Sequence, residues 1–260
     1  MTPTNAQERV LEGVEVVWEA PGSAAVTRKR SRRMRAGLAE LAPTVDWARR
    51  AQARRYLNVV IALTLLILSL PVMLVVALLV KLTSSGPVLF TQTRVGLDRR
   101  QLEPGGNWRR SVDYGGRLFK IYKFRTMYVH AGWAWDQVWA QPDDPRVTPV
   151  GRILRGFRLD ELPQLFNVLR GDMNVVGPRP EQPKIFMQLR GEIDQYQQRQ
   201  RVLPGITGWA QINHHYDASV DDVRQKLTYD LEYVQRQSLL HDALILLRTL
   251  PVVLLRRGAW

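Results

Sequence analysis

Twenty-five consecutive residues, Tyr56 to Val80 (YLNVVIALTLLILSLPVMLVVALLV), carry no charge. As a helix this run is ~37 Å long at ~1.5 Å per residue, longer than the ~30 Å hydrocarbon core of a bilayer. It starts too far from the N-terminus for a cleaved signal peptide and exceeds the length of a signal h-region, so it is a membrane segment. Arg49, Arg50, Arg54 and Arg55 precede it, and Lys81, Arg94, Arg99 and Arg100 follow. Basic residues mark the cytoplasmic side of a membrane segment, and here they flank both ends. Pro71, inside the run, removes one helix hydrogen bond and clashes with the preceding turn; Ser69, Thr64 and Asn58 are placed to satisfy freed carbonyls. A helix that breaks at Ser69-Leu70-Pro71 and returns satisfies both flanks. A single kinked spanning helix accounts for the apolar length equally, and these features alone do not separate the two.

The segment divides the 260-residue chain into a tail (1–55), a membrane helix (56–80) and a cytosolic domain (81–260). The tail carries TRKRSRRMR at 27–35. Such a cluster binds anionic headgroups at ~1 kcal/mol per basic residue, although a solvated tail or an RNA-binding arm has the same composition. With a membrane segment close behind it, lipid is the expected partner and nucleic acid is not. The whole chain has a net charge of +13, which calls for anionic partners. It has no cysteine, which excludes disulfide scaffolds, cysteine nucleophiles and cysteine-ligated metals.

The remaining pattern predicts an α/β domain, predominantly helical, with short strands. SSGPVLFTQTRVG gives a strand near Val88–Thr93 and LFKIYKFRTM (118–127) a second; the Gly-rich stretch 98–117 lies between them as a loop or hairpin. Helices are expected over Pro149–Arg158, over Asp160–Arg170 with Gly171 as its stop, over Asp194–Arg201 and over Asp221–Gln235. The apolar stretch 239–257, interrupted by Pro251 and punctuated by basic residues, reads as an interfacial or packed amphipathic helix. Trp133, Trp135 and Trp139 suit either a core or a membrane interface.

Residues 144–181 concentrate the charged chemistry. Arg152, Arg155 and Arg158 recur every third position, so a helix gathers them toward one side. Asp160 and Glu161 follow at an expected helix start, where free amides and the helix dipole stabilise a carboxylate or a phosphate. Adjacent acids point in different directions, which allows one to attack phosphorus while the other holds a divalent cation against the substrate oxygens. Arginines and Mg²⁺ would offset the repulsion between a carboxylate and an anionic diphosphate, and Arg179 in the GPRP turn adds a bidentate donor. Ordinary helix capping and a solvated arginine face explain the same residues one by one. There is no Walker P-loop, dinucleotide-binding glycine fingerprint or GxSxG elbow.

Five stretches in order, KLTSSGPVLFTQTRVG, FKIYKFRTM, DPRVTPVGRILR, LDELPQLFNVLRGDMNVVGPRPE and LPGITGWAQIN, resemble the bacterial sugar transferases, the small monotopic phosphoglycosyl transferases. The resemblance covers roughly Arg54 to the C-terminus. It implies a re-entrant membrane helix broken at Pro71, with both ends cytosolic at the bacterial inner membrane. It also implies that Asp160 attacks the β-phosphate of a UDP-sugar and releases UMP, and that the phosphosugar on the aspartate then passes to undecaprenyl phosphate. Glu161 matches the acid associated with Mg²⁺ and Arg155 a phosphate-binding arginine. Lys123, Arg125 and Arg179 fall in motifs lining the same site.

The sequence departs from the family at three points. Asn58 stands where an aspartate is usual, Ser69 is one residue removed from Pro71, and Asn213-His214-His215 replaces an Asn-Gly-Arg, removing an expected arginine contact. Two other readings remain at this level: a membrane-tethered metal-dependent phosphohydrolase using the same acids, and a non-catalytic basic scaffold. The sugar is not specified, and self-association is left open.

Overall fold

The apolar run forms the greater part of one helix, α1 (Val45–Thr83). In this computed structural model the chain is described over residues 45–98, 113–129, 144–214 and 220–255. The 27–35 cluster, the three tryptophans, most of the 98–117 insert and His215 lie outside the described residues. The hydrogen-bonded helix continues through Pro71 where a break was expected; proline's fixed φ is itself helical, so one lost hydrogen bond need not end the helix. The Ser69 hydroxyl donates to the Leu66 carbonyl at 3.4 Å. Ala51–Thr83 is the one described helix long and apolar enough to cross a membrane. Ile67, Leu68, Leu70, Leu74, Val75 and Leu78 are all exposed along it, a continuous apolar face that water does not tolerate at this size.

Arg50–Trp260 forms one compact unit. Within Arg50–Trp260 the strands are short. β1 (Leu89–Val95) and β2 (Leu118–Phe124) pair antiparallel, with Leu89 opposite Phe124 and Val95 opposite Leu118. The chain then forms α2 (Pro149–Gly156), a 3₁₀ turn (Leu159–Glu161), α3 (Gln164–Arg170) and β3 (Asn174–Val176). After these come α4 (Pro183–Glu192), a 3₁₀ segment (Tyr196–Arg201) and β4 (Gly205–Thr207), which pairs parallel with β3. Three helices close the order: α5 (Trp209–Asn213), α6 (Val220–Arg236) and α7 (Leu239–Leu254). The fold is thus mostly helical α/β, as the pattern predicted. The strand expected to end at Thr93 runs on to Val95, and α7 ends at Leu254 with Pro251 inside it.

The one helix expected over Asp160–Arg170 is two elements. Pro163, whose nitrogen has no proton to donate, sits at the N-cap of α3, and the two acids lie in the separate 3₁₀ turn before it. Arg158, at φ 55°, adopts the left-handed conformation that turns the chain from α2 into the acid turn. For a side chain other than glycine that costs ~1–3 kcal/mol.

Both ends of the apolar helix are held by the same domain. Near its start, Arg55 donates to the carbonyls of Val168 (2.5 Å) and Leu169 (2.8 Å) in the last turn of α3, where the Val168 carbonyl also accepts the Gly171 amide. Asn58 accepts from the Val175 amide at 2.6 Å. Arg54 pairs with buried Asp242 on α7 at 2.7 Å, beside the Tyr233 hydroxyl. At the far end, Arg125 donates to the carbonyls of Val80 and Ser84 and to that of Pro87. Between the two ends, Met73, Val76 and Val80 pack with Phe124 and Leu154, and Ala62 packs with Ile121, Leu165 and Val168.

Gly151 lets α2 lie directly on β2's continuation. A Cβ there would fall on the Thr126 carbonyl, well inside van der Waals contact, and the obstacle is backbone. Gly151→Ala is therefore expected to cost several kcal/mol, roughly 3 or more, read as a fall in the thermal midpoint. An unchanged midpoint would show that α2 does not pack this closely.

Candidate active site

Asp160 and Glu161 sit side by side on the 3₁₀ turn, both buried. Two docking devices place them. Thr148 caps α2, accepting from the Gly151 amide at 2.8 Å. Asn167, fully buried on α3, substitutes for a neighbouring strand: its amide donates to the Lys120 carbonyl at 2.7 Å and its oxygen accepts from the Tyr122 amide at 3.1 Å. That grip on β2 sets the acids against Lys123.

The Lys123 ammonium lies 2.7 Å from Glu161 Oε1 and 3.9 Å from Asp160 Oδ2. Arg179 Nη2 reaches the same Oε1 at 2.8 Å. Arg155 Nε donates to Thr126 Oγ1 at 2.9 Å, and its charge acts on Asp160. Asp160, Glu161, Lys123, Arg155 and Arg179 are thus brought together as the sequence suggested. Arg125 is not: its guanidinium serves the carbonyls at the end of α1 and forms no ion pair with either acid. Alternate residues of β2 face opposite ways, so Lys123 and Arg125 share a face by register; the strand ends at Phe124, which frees Arg125 to turn away.

The two acids experience opposite environments. Burial raises the Asp160 pKa above its ordinary 3.8; Lys123 opposes this and the neighbouring Glu161 charge adds to it. Burial pushes Glu161 the same way, but Arg179 and Lys123 outweigh it and hold its carboxyl far below the usual range. Burial lowers Lys123 against the pull of Glu161, and Glu161 raises Arg179. The result is a glutamate whose charged form is favoured by two cations, beside a more basic carboxylate held by no short ion pair. A carboxylate of that kind is the better nucleophile of the two.

Sequence reasoning did not find the layer behind Arg179. Buried Arg199 donates to the Arg179 carbonyl at 2.9 Å and pairs with Asp230 at 2.7 Å. Arg94 Nη1 donates to the Pro180 carbonyl at 3.0 Å, and burial lowers its pKa to about 10. Glu181 meets Lys226 at 3.2 Å and Arg199 at 3.4 Å; burial opposes its ionisation, yet Lys226, Arg199 and Arg94 bring its pKa down to about 2. The GPRP turn is therefore clamped through its carbonyls. The signal in the sequence was weak, because Arg199 sits in a polar QQRQR run that reads as solvated. Around the acids, Lys123, Arg155, Arg158, Arg179 and Arg94 outnumber Asp160, Glu161 and Glu181, which makes this a site for an anion larger than its own carboxylates. His214 follows α5, its amide bonded to the Ala210 carbonyl at 2.8 Å.

Two buried carboxylates ringed by surplus arginine and lysine make an anion-binding site with the charge balance that phosphoryl transfer requires. The chain belongs to the bacterial sugar transferase family, which matches residues 49–256. It is 43% identical over 206 residues to a UDP-N-acetylgalactosamine-undecaprenyl-phosphate N-acetylgalactosaminephosphotransferase of Aeromonas hydrophila, covering 79% of this chain and 44% of that one. It is 42% identical over 209 residues to a UDP-glucose:undecaprenyl-phosphate glucose-1-phosphate transferase of Caulobacter vibrioides, covering 80% and 72%. The exopolysaccharide production protein ExoY of Sinorhizobium fredii is 35% identical over 222 residues, with 80% and 88% covered. The chain thus spans less than half of the Aeromonas relative and most of the other two.

Proposed function

We propose that this protein transfers a sugar-1-phosphate from a UDP-sugar to undecaprenyl phosphate through a covalent intermediate on Asp160, at the cytosolic face of a bacterial inner membrane, as a first step in polysaccharide assembly. The observation that carries the reading is the division of labour between the two acids: Asp160 buried and basic, Glu161 neutralised by Lys123 and Arg179. The relatives' names supply the substrate class.

In the first half-reaction an Asp160 carboxylate oxygen attacks the sugar-bearing phosphorus. The phosphorus–oxygen bond to UMP breaks, and UMP leaves with that electron pair. In the second, a phosphate oxygen of undecaprenyl phosphate attacks the same phosphorus and the bond to Asp160 breaks, regenerating the carboxylate. Arg155 and Arg179 hold the phosphate oxygens throughout, and Lys123 fixes the acid pair. Asp160 is only 7% exposed, which limits the access of water to the mixed anhydride and favours transfer over hydrolysis.

Mg²⁺ fits this donor set through Asp160 and Glu161 alone. Lys123 and Arg179 both engage Oε1 of Glu161, and no cluster of three acidic or histidine side chains occurs among the described residues. An ion bound through one or two carboxylates, with substrate phosphates as further ligands, is the usual magnesium arrangement. When bound, the metal would neutralise charge on the diphosphate.

The reading includes a helix α1 whose two ends lie on one side of the membrane. Arg54, Arg55 and Asn58 at one end, and Val80 and Ser84 at the other, are all bonded to the same domain. A helix crossing the bilayer separates its ends by ~30 Å of hydrocarbon. α7 joins it at the interface, with Leu240, Leu247, Leu250 and Leu254 exposed. Because the chain lacks cysteine, single cysteines at Gln52 and Thr83 report sidedness directly. Labelling of both from the cytosolic side is expected, and labelling from opposite sides would establish a spanning helix.

UMP release from a panel of UDP-sugars, with Mg²⁺ and undecaprenyl phosphate, tests the activity. One donor is expected to turn over, and without acceptor it should release about one equivalent of UMP per enzyme, the burst of a covalent mechanism. Continuous release without acceptor would identify a hydrolase instead.

A further inference from the structure

The four residues of β2's exit, Lys123 to Thr126, send polar side chains to three destinations. Lys123 goes to Glu161 and Arg125 to the end of α1. Thr126, buried, goes to Arg155, accepting its Nε proton at 2.9 Å. We infer that Thr126 is the positioning residue for Arg155, aiming that guanidinium at the diphosphate of the donor. The inference rests on the reading of Arg155 as a phosphate ligand.

Among the described residues, Arg155 is held differently from Lys123 and Arg179. Lys123 and Arg179 are fixed by short ion pairs to Glu161, whereas Arg155 has no ion pair and makes its one hydrogen bond to Thr126. A free arginine side chain carries ~2 kcal/mol of rotamer entropy, and a displacement of ~1 Å at a reacting centre can cost ~10²-fold. Something must therefore hold Arg155 before substrate arrives. Using Nε for this leaves both terminal nitrogens for a bidentate phosphate contact.

Thr126 is itself immobile. Its carbonyl accepts the Thr148 amide at 2.9 Å, and Gly151 packs against its backbone. Helix α2, which carries Arg155, is thus seated on the residue that orients Arg155. A β-branched side chain has few χ1 choices, so the threonine methyl restricts the hydroxyl in a way serine does not. Removing the hydroxyl without changing the shape (Thr126→Val) takes away the orienting bond and leaves those backbone contacts in place.

The test uses the full chain in detergent or nanodiscs and titrates UDP as the probe, with the thermal midpoint measured alongside. Thr126→Val is expected to weaken UDP binding about tenfold, in line with loss of a hydrogen bond to a charged group, and to lower kcat/KM with any active donor to a similar extent. The midpoint should hold within about 2 °C, since no backbone contact changes. Thr126→Ser should recover binding to within about threefold of wild type, and Arg155→Met should lose about a hundredfold. The double variant Thr126→Val/Arg155→Met should bind no more weakly than Arg155→Met alone, because the two residues act as one unit. Wild-type binding by Thr126→Val, or losses that multiply in the double variant, would overturn the inference while leaving the proposed reaction intact. Wild-type binding by Arg155→Met, or no UDP binding by the wild type, would instead overturn the reading beneath it.

Discussion

Replacing Asp160 by Asn is expected to abolish transfer, by at least about 10⁴-fold in kcat, while leaving the protein as stable as the wild type or more so. An amide cannot form the mixed anhydride, and no other described carboxylate is free to substitute: Glu161 is bound by two cations. The stability half of the prediction follows from the direction of the Asp160 shift. Burial raises its folded pKa above the ordinary 3.8, so between the unfolded and folded values the native state holds more protons. Stability then falls as pH rises through that window, and at neutral pH the folded protein bears the cost of a buried charge. Asparagine removes it. The melting curves of wild type and Asp160→Asn should therefore converge below about pH 4 and separate at pH 7, with the variant on the warmer side. A variant that melts well below wild type at pH 7 would mean that Asp160 is a structural ion-pair partner and not a buried charge whose cost is accepted for chemistry. Retained UMP release would remove it from the mechanism.

What the sequence could reveal was whatever a short window encodes. The membrane helix was visible because 25 uncharged residues have no other stable environment. The acid pair stood out because carboxylates beside a spaced arginine series suggest phosphate chemistry. The hidden parts depend on contacts across the chain. Asn167, 47 positions from Lys120, reads locally as a polar residue on an apolar helix face, yet it docks α3 on β2. Arg199 looks solvated in its QQRQR run and is buried with Asp230, 31 positions on, and Glu181 as its ion-pair partners.

The contacts of Arg125 were hidden for a related reason. It lies two residues from Lys123 in one motif, and only the close arrival of α1's last turn shows that its partners are carbonyls. Pro71 exerts a local effect that the surrounding helix tolerates. Pro163 does the reverse: inside a stretch whose pattern predicts one helix over Asp160–Arg170, it separates the acids from α3. That separation has a functional consequence. On a tight 3₁₀ turn following the left-handed Arg158, neighbouring carboxylates diverge, which lets one be locked by two cations while the other stays out of any short ion pair.

Glu161→Gln should show the opposite behaviour to Asp160→Asn, and that contrast is the sharper check on the site. Glutamine keeps the shape but leaves Lys123 and Arg179 facing each other without the shared anion at Oε1. Breaking a buried pair costs ~3–5 kcal/mol. The Arg179 side chain is 35% exposed, and solvent screening there places the expected loss near the lower end, ~3 kcal/mol. For a domain of this size that is a fall of roughly 10 °C in the thermal midpoint. The linkage has the reverse sign as well: burial would raise the Glu161 pKa, but Arg179 and Lys123 depress it. Its contribution is therefore present above the unfolded value of about 4.3 and is lost as pH falls through that value toward the folded one. The gap between wild type and Glu161→Gln should be largest at neutral pH and close in acid, while Glu161→Asp should retain most of the stability. Activity is expected to fall at least about 10²-fold, because Arg179 and Lys123 lose the anion that orients them on the diphosphate. If both acid substitutions moved the midpoint in the same direction at pH 7, the two carboxylates would be doing the same job, and the assignment of nucleophile to one and cation-bound partner to the other would fail.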